Sequence, residues 1–182
     1  MVVVIYGNDK DTTLNDTLMR ALANYGGVQF HSKNKVICAC EKSSSPRFLA
    51  YDVNKLPVFL NCEGILIFKD SFKDIDYSCL PPHFSPVFDS QNVNAENFLK
   101  DKDMDTTILT CGVSSKNILT ISSIEESKAF VSFQRYTIIK DKIIEPHDFT
   151  VNLTKPVEPE DLLFTCAVLL LSGIPSADGY EF

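Results

Sequence analysis

Two short clusters carry residue types able to do chemistry. Cys38-Ala-Cys40 places two thiols two positions apart, and Cys62 could approach them. In an extended chain such positions share a face, so a metal would meet only two sulfurs there. Structural zinc draws on paired Cys-x-x-Cys or His-x-His groups, and the sequence offers no second cluster. These thiols are therefore expected to be reduced core cysteines, and neither a metal nor a cofactor is expected. Glu145-Pro146-His147-Asp148 combines an imidazole with two carboxylates. His147 could serve as a general base, since an imidazole titrates near neutrality. With no nucleophile identifiable nearby, a solvated turn inside a hairpin is the expected reading. His31 and His83 stand in polar loop contexts.

The elements that must position these residues follow from apolar patterning. Val2 to Tyr6 is a continuous apolar run ending at Gly7, as expected of a strand buried on both faces. Leu14, Leu18, Ala21, Leu22 and Tyr25 recur at helical spacing behind the capping candidates Asp11, Thr12 and Thr13, and Gly26-Gly27 stops the helix. Strands are predicted at 36–40, 48–53 and 64–68, with a turn-rich connection around Ser43 to Pro46. Ser71 to Pro86 holds three prolines and reads as loop, leaving a short strand at 86–88. A short helix is predicted at 94–100, and a second buried strand at 106–111, again stopping at a glycine, Gly112.

Farther on the texture becomes antiparallel. Strands are predicted at 118–124, 129–139 and 143–153, with Asp141-Lys142 as a tight turn. Pro156 and Pro159 precede a helix from about Glu160 to Ser172, apolar nearly all round and closed by Gly173 and Pro175. The fold class expected is α/β: a mainly parallel, Rossmann-like or P-loop-like sheet flanked by helices, with a smaller antiparallel sheet in the C-terminal half. The strands at 2–6 and 106–111 are expected to be neighbours. One domain spanning 1–182 is expected, since no repeat or long linker divides the chain.

Composition narrows the partners. Seventeen basic against 24 acidic residues give a net charge of −7, which argues against nucleic acid or an anionic membrane. Met1 to Ile5 lacks the basic n-region of a secretory signal. The apolar run Leu162 to Leu171 is too short to span a bilayer. With six cysteines and no disulfide framework in view, a cytoplasmic protein is expected.

The order of elements resembles part of the Mur ligase family. Thr106-Thr-Ile-Leu-Thr-Cys-Gly112, a strand triplet, and a buried helix ending Leu171-Ser-Gly-Ile-Pro175 are similar to the second half of that family's central ATP-binding domain. There a strand ending Thr-x-Gly leads to a small antiparallel sheet and a helix closing with Leu-Gly-Ile. The resemblance spans roughly residues 105 to 175. The family's phosphate loop reads Gly-Thr-Asn-Gly-Lys-Thr-Thr, where this chain has Gly7-Asn8-Asp9-Lys10-Asp11-Thr12-Thr13. Lys10 thus takes the second glycine position and Asp11 the lysine position. An aspartate there repels phosphate instead of neutralising it. The family's nucleotide-contacting His-Asn and downstream Asn fall near Val157, Glu158 and Asp161 and are missing. The resemblance, with these departures, implies a non-catalytic Mur-ligase-like domain that has lost ATP binding and acts through a protein partner or self-association as a homodimer. The alternative is a small-molecule-binding protein or small enzyme using the cleft at the carboxyl ends of the parallel strands. Its lining would be Gly7, Asn8, Thr12, Thr13, Gly112 and Ser114. Asp9 and Asp11 at the entrance would then select a neutral or cationic ligand.

Overall fold

The computed structural model describes residues 1–8, 10–33, 35–40, 45–55, 62–73, 83–100, 102 and 106–182. Asp9, Ser43-Ser44, Cys79 and most of the 71–86 and 100–105 stretches lie outside them.

In chain order the elements are β1 (Val2–Tyr6), α1 (Thr13–Asn24), β2 (Val28–Ser32), β3 (Lys35–Ala39), β4 (Phe48–Val53), β5 (Gly64–Phe68), β6 (Phe84–Asp89) and α2 (Val93–Lys100). There follow β7 (Leu109–Cys111), β8 (Leu119–Ile124), β9 (Lys128–Phe133), β10 (Thr137–Ile139), β11 (Lys142–Ile144), β12 (His147–Asn152), α3 (Pro159–Leu171) and β13 (Tyr180–Glu181). One mixed sheet runs β13-β12-β9-β8-β7-β6-β5-β1-β4-β2-β3, and β10-β11 pair apart from it as a small antiparallel sheet. The central run β7-β6-β5-β1-β4-β2 is parallel throughout. The α/β class expected from the sequence is the class found.

β1 carries the sheet because it is apolar on both faces. Val3 and Ile5 pack into a core shared with α1 and α3, while Val4 and Tyr6 join Leu66, Phe68, Phe72, Phe84 and Phe98 on the opposite face, beside α2. Its ladder partners are β4 and β5, so the expected neighbourhood of β1 and β7 is corrected: β5 and β6 stand between them. Apolar runs fix that a strand is central, but crossover connections fix which strands meet.

The C-terminal strands also differ from expectation. β8, β9 and β12 prolong the main sheet instead of forming one beside it. β7 presents an edge whose backbone groups need partners, and β8 docks there through Gly112 N–H to Leu119 O at 3.2 Å and Ile118 N–H to Thr110 O at 3.0 Å. The long strands expected at 129–139 and 143–153 each divide, with Pro146 ending one ladder before β12 begins. The turn of the β10-β11 hairpin is Lys140-Asp141, both left-handed with φ of 49° and 62°, one residue earlier than expected.

β6 is longer than the predicted 86–88. Pro86 is tolerated in this inner strand because β7 begins to pair with β6 only at Val87. α3 starts with Pro159 in its first turn and is buried from Asp161 to Leu171. It closes with Gly173 at φ 77°, the Gly173 and Ile174 N–H groups donating to Leu170 O and Leu169 O.

Candidate functional site

The carboxyl ends of β1, β4, β5 and β6 meet at the loop that follows β1. Tyr6 is in register with Phe68, so the next residues, Gly7 and Lys69, stand side by side. A Cβ on Gly7 would lie 2.8 Å from Lys69 Cβ, and only glycine lets the two strands continue so close. Lys69 is 2% exposed, and its Nζ lies 2.9 Å from Asp52 Oδ1 at the end of β4. The same ammonium donates to Asn8 O at 3.2 Å and to Asp11 O at 2.5 Å. Asn15 of α1 donates to the other Asp52 oxygen at 2.7 Å.

This reverses the polarity of a phosphate loop. Anion-binding loops curl backbone N–H groups inward, whereas here two carbonyl oxygens turn inward onto a cation supplied by the chain. The Asn8 N–H is taken by Ser71 Oγ at 3.0 Å, and the Lys10 N–H by Asn8 Oδ1 at 3.1 Å. Thr12 precedes α1 without a side-chain cap, and Thr13 Oγ1 donates to Asp11 Oδ1 at 3.4 Å.

Beside the loop is a cleft of about 380 Å³ lined by Asp11, Thr13, Lys69, Asp70, Glu160 and Asp161, with Leu14 and Phe164 at its back. Burial, then the charge and hydrogen bond of Asp70, pushes the Glu160 carboxyl up to about 8. Burial also raises Asp161 to about 6, against an opposing hydrogen bond from Thr13. Burial lifts Asp89 as well. Carboxyls that resist ionisation because they are buried, with other acidic groups beside them, form a poor seat for a polyphosphate. Among the described residues, no group of three or more His, Cys, Asp or Glu side chains is arranged to hold a metal ion.

The other two sequence-expected lining residues lie elsewhere. Gly112 has φ 136°, and a Cβ there would lie 2.8 Å from Asn117 Nδ2 and 2.9 Å from Asp89 Oδ2. Ser114 is spent in a turn, accepting from Lys116 N–H at its Oγ and from Asn117 N–H at its carbonyl. Three strand spacings separate the ends of β1 and β7, roughly 14 Å. Gly7, Asn8, Thr12 and Thr13 therefore form one group, and Gly112 with Ser114 another. Sequence reasoning picked out Asp11 but not Lys69, Asp52, Asp70 or Glu160. The available signal was positional, since Asp52 and Lys69 each stand at or just past the end of an apolar strand run.

His147 is not in a solvated turn. It opens β12, with Nδ1 2.7 Å from Glu145 O and Nε2 2.6 Å from Ser176 Oγ. Asp148 points to the other face and accepts from Ser132 at 2.5 Å. The expected imidazole–carboxylate constellation is thus taken apart by strand alternation. The core reading of Cys38 and Cys40 is also corrected. β3 is the sheet edge, so Cys38 is exposed, and its sulfur lies 3.0 Å from that of Cys40. Among the described cysteines, Cys111 and Cys166 are the buried ones, their pKa values raised by burial.

No family model and no curated protein matches the chain. Solved structures do match. A UDP-N-acetylmuramoyl-L-alanyl-D-glutamate–2,6-diaminopimelate ligase superposes at TM-score 0.56 and 10% identity, over 94% of this chain and 42% of that one. The UDP-N-acetylmuramate:L-alanyl-gamma-D-glutamyl-meso-diaminopimelate ligase of Neisseria meningitides gives 0.59 and 13%, over 97% and 63%. The MurF ligase of Thermotoga maritima, solved in complex with ADP, gives 0.55 and 13%, over 97% and 46%. The chain has a Mur-ligase-like fold, and it spans about half the length of the ligases it matches. No helix among the described residues is long and apolar enough to cross a membrane.

Proposed function

We propose that this chain is a Mur-ligase-like central domain that does not use ATP and acts by protein contact or self-association in the cytoplasm. The observation that carries this reading is Lys69 inside the loop after β1. Its ammonium occupies the loop's interior and holds Asn8 O and Asp11 O inward, while the Asn8, Lys10 and Asp11 N–H groups are taken by Ser71 Oγ, Asn8 Oδ1 and Asn8 O. The acidic cleft adds repulsion. The sheet edge supports a contact role: on β3, Val36 is 64% and Ile37 39% exposed, and an uncovered edge strand can accept another chain. Calorimetry with Mg-ATP tests the first half. No heat of binding is expected, and a micromolar dissociation constant would reopen the ligase reading. Sedimentation of the wild type and of Ile37→Lys tests the second. A dimer lost in the variant supports it, and a monomer at all concentrations removes the self-association arm.

A second reading is favoured by the acidic lining alone: a small cationic or neutral ligand in the cleft at the carboxyl ends of the strands. A thermal-shift screen of amino acids, sugars and nucleotides discriminates it from the first.

A further inference from the structure

The two thiols at the sheet edge have no part in the reading proposed above. β3 is the last strand of the sheet, and Cys38, opposite Gln29 of β2, is exposed there. The strand ends at Ala39 and the chain bends at Cys40. Residues two apart on a strand point to one side, so both thiols leave the same face. Gly27 keeps room for the second of them. With φ 79°, a Cβ there would lie 2.6 Å from Cys40 Cβ, so nothing larger than hydrogen fits at position 27. The two sulfurs come to rest 3.0 Å apart.

That placement suits a covalent bond better than a metal. A disulfide takes Cα atoms about 4.4–6.8 Å apart and sulfurs at about 2.05 Å. Two residues of extended strand span about 6.6 Å, the long end of that window, and the bend at Cys40 shortens the span. The sulfurs, now at 3.0 Å, must close by about 1 Å, a distance that side-chain rotation supplies. Two thiolates on one zinc, each about 2.3 Å from the ion, would stand roughly 3.8 Å apart. Among the described residues no third ligand joins the pair.

We propose that Cys38 and Cys40 form a reversible dithiol–disulfide couple that exchanges with small-molecule disulfides. Cys38, the exposed member, attacks as the thiolate. The sulfur–sulfur bond of the incoming disulfide breaks, one thiolate leaves, and Cys38 is held in a mixed disulfide. Cys40 then loses its proton to water and attacks the Cys38 sulfur, and a second thiolate departs. The chain has given up two electrons and two protons, and the incoming disulfide has become two thiols. The contact with Cys38 raises the Cys40 pKa, so Cys40 keeps its proton while Cys38 attacks. An exposed thiol with a resolving thiol beside it is the arrangement most open to oxidation. Exposure and the long span also leave the ring easy to reduce, so the couple cycles. It lies apart from the loop after β1, and its test is independent of how that loop is read.

The test treats the full native chain with oxidised glutathione and maps tryptic peptides by mass spectrometry. Trypsin releases Cys38 and Cys40 together, on the peptide 36–42. That peptide should become two hydrogens lighter and should regain them with dithiothreitol. In Cys40→Ser it should instead carry one glutathione, which dithiothreitol removes. Cys38→Ser should slow the loss of the remaining thiol about tenfold, because the exposed attacker is gone. If the variants do not fold, the wild-type peptide decides. A peptide 36–42 that stays reduced or carries two glutathiones would overturn the proposal, as would a link from either thiol to Cys62 or to a second chain. So would an unslowed reaction in Cys38→Ser, or no glutathione on Cys40→Ser.

Discussion

Lys69 Nζ and Asp52 Oδ1 are 2.9 Å apart, and each side chain is 2% exposed. The pair joins the ends of β5 and β4 across β1, so this inner strand of the parallel run is clasped at its carboxyl end by charge. Breaking one half strands the other in a dry site.

Lys69→Met is therefore expected to destabilise the protein by about 3–5 kcal/mol, the range for an orphaned buried charge. Adding Asp52→Asn, which keeps an acceptor for Asn15, should restore more than half of the loss. Urea unfolding of the four members of the cycle measures this. Additive losses would mean that the two residues do not act as a pair.

Glu160 gives stability a pH slope. Its folded pKa, pushed up to about 8 by burial and by Asp70, exceeds the ordinary unfolded value of about 4.3. The folded state then holds a proton that the unfolded state releases. The contribution is complete below the unfolded value and is lost as pH rises through about 8. The melting temperature should fall between about pH 4.3 and pH 8 and level off above it, and Glu160→Gln should flatten that fall. An unchanged slope in the variant would place its origin elsewhere.

Gly64 is required for want of space rather than for its backbone freedom. A Cβ there would lie 2.4 Å from the ring of Phe84 on the neighbouring strand. Gly64→Ala should cost about 1–3 kcal/mol through overpacking. Combining it with Phe84→Leu should recover part of that cost, as read by the urea midpoint.

The thiols should divide kinetically. Cys38, on the exposed sheet edge, should be alkylated rapidly in the native protein, whereas Cys111 and Cys166, both fully buried, should react only after denaturation. Mass mapping of timed alkylation resolves the sites. Early modification of Cys166 would mean that α3 opens readily.

Much of the architecture was legible because burial imposes a local pattern. Val2–Tyr6 and Leu162–Leu171 are apolar whichever way they turn, and both are covered on every side. β2 was not legible, since only Val28 and Phe30 of Val-Gln-Phe-His-Ser go inward. Strand order was not legible either, because ladders join residues far apart, as Val2 with Leu49 and Gly64. The loop after β1 was recognised by its glycine and threonines and by its misplaced Asp11. Lys69 was missed because a lysine following an apolar run reads as solvated. What buries it is Asp52, a partner that spacing along the chain does not announce.

α3 has a consequence for how the molecule is made. Val3, Ile5, Leu14 and Leu18 share one core with α3 residues that begin beyond position 160. While the ribosome is still reading the first hundred and fifty codons, the opening strand and helix exist without the cover they need. At typical elongation rates that interval lasts roughly ten to thirty seconds. The nascent chain must carry an apolar, unsealed sheet through it, so a chain halted before α3 should be held by chaperones or precipitate.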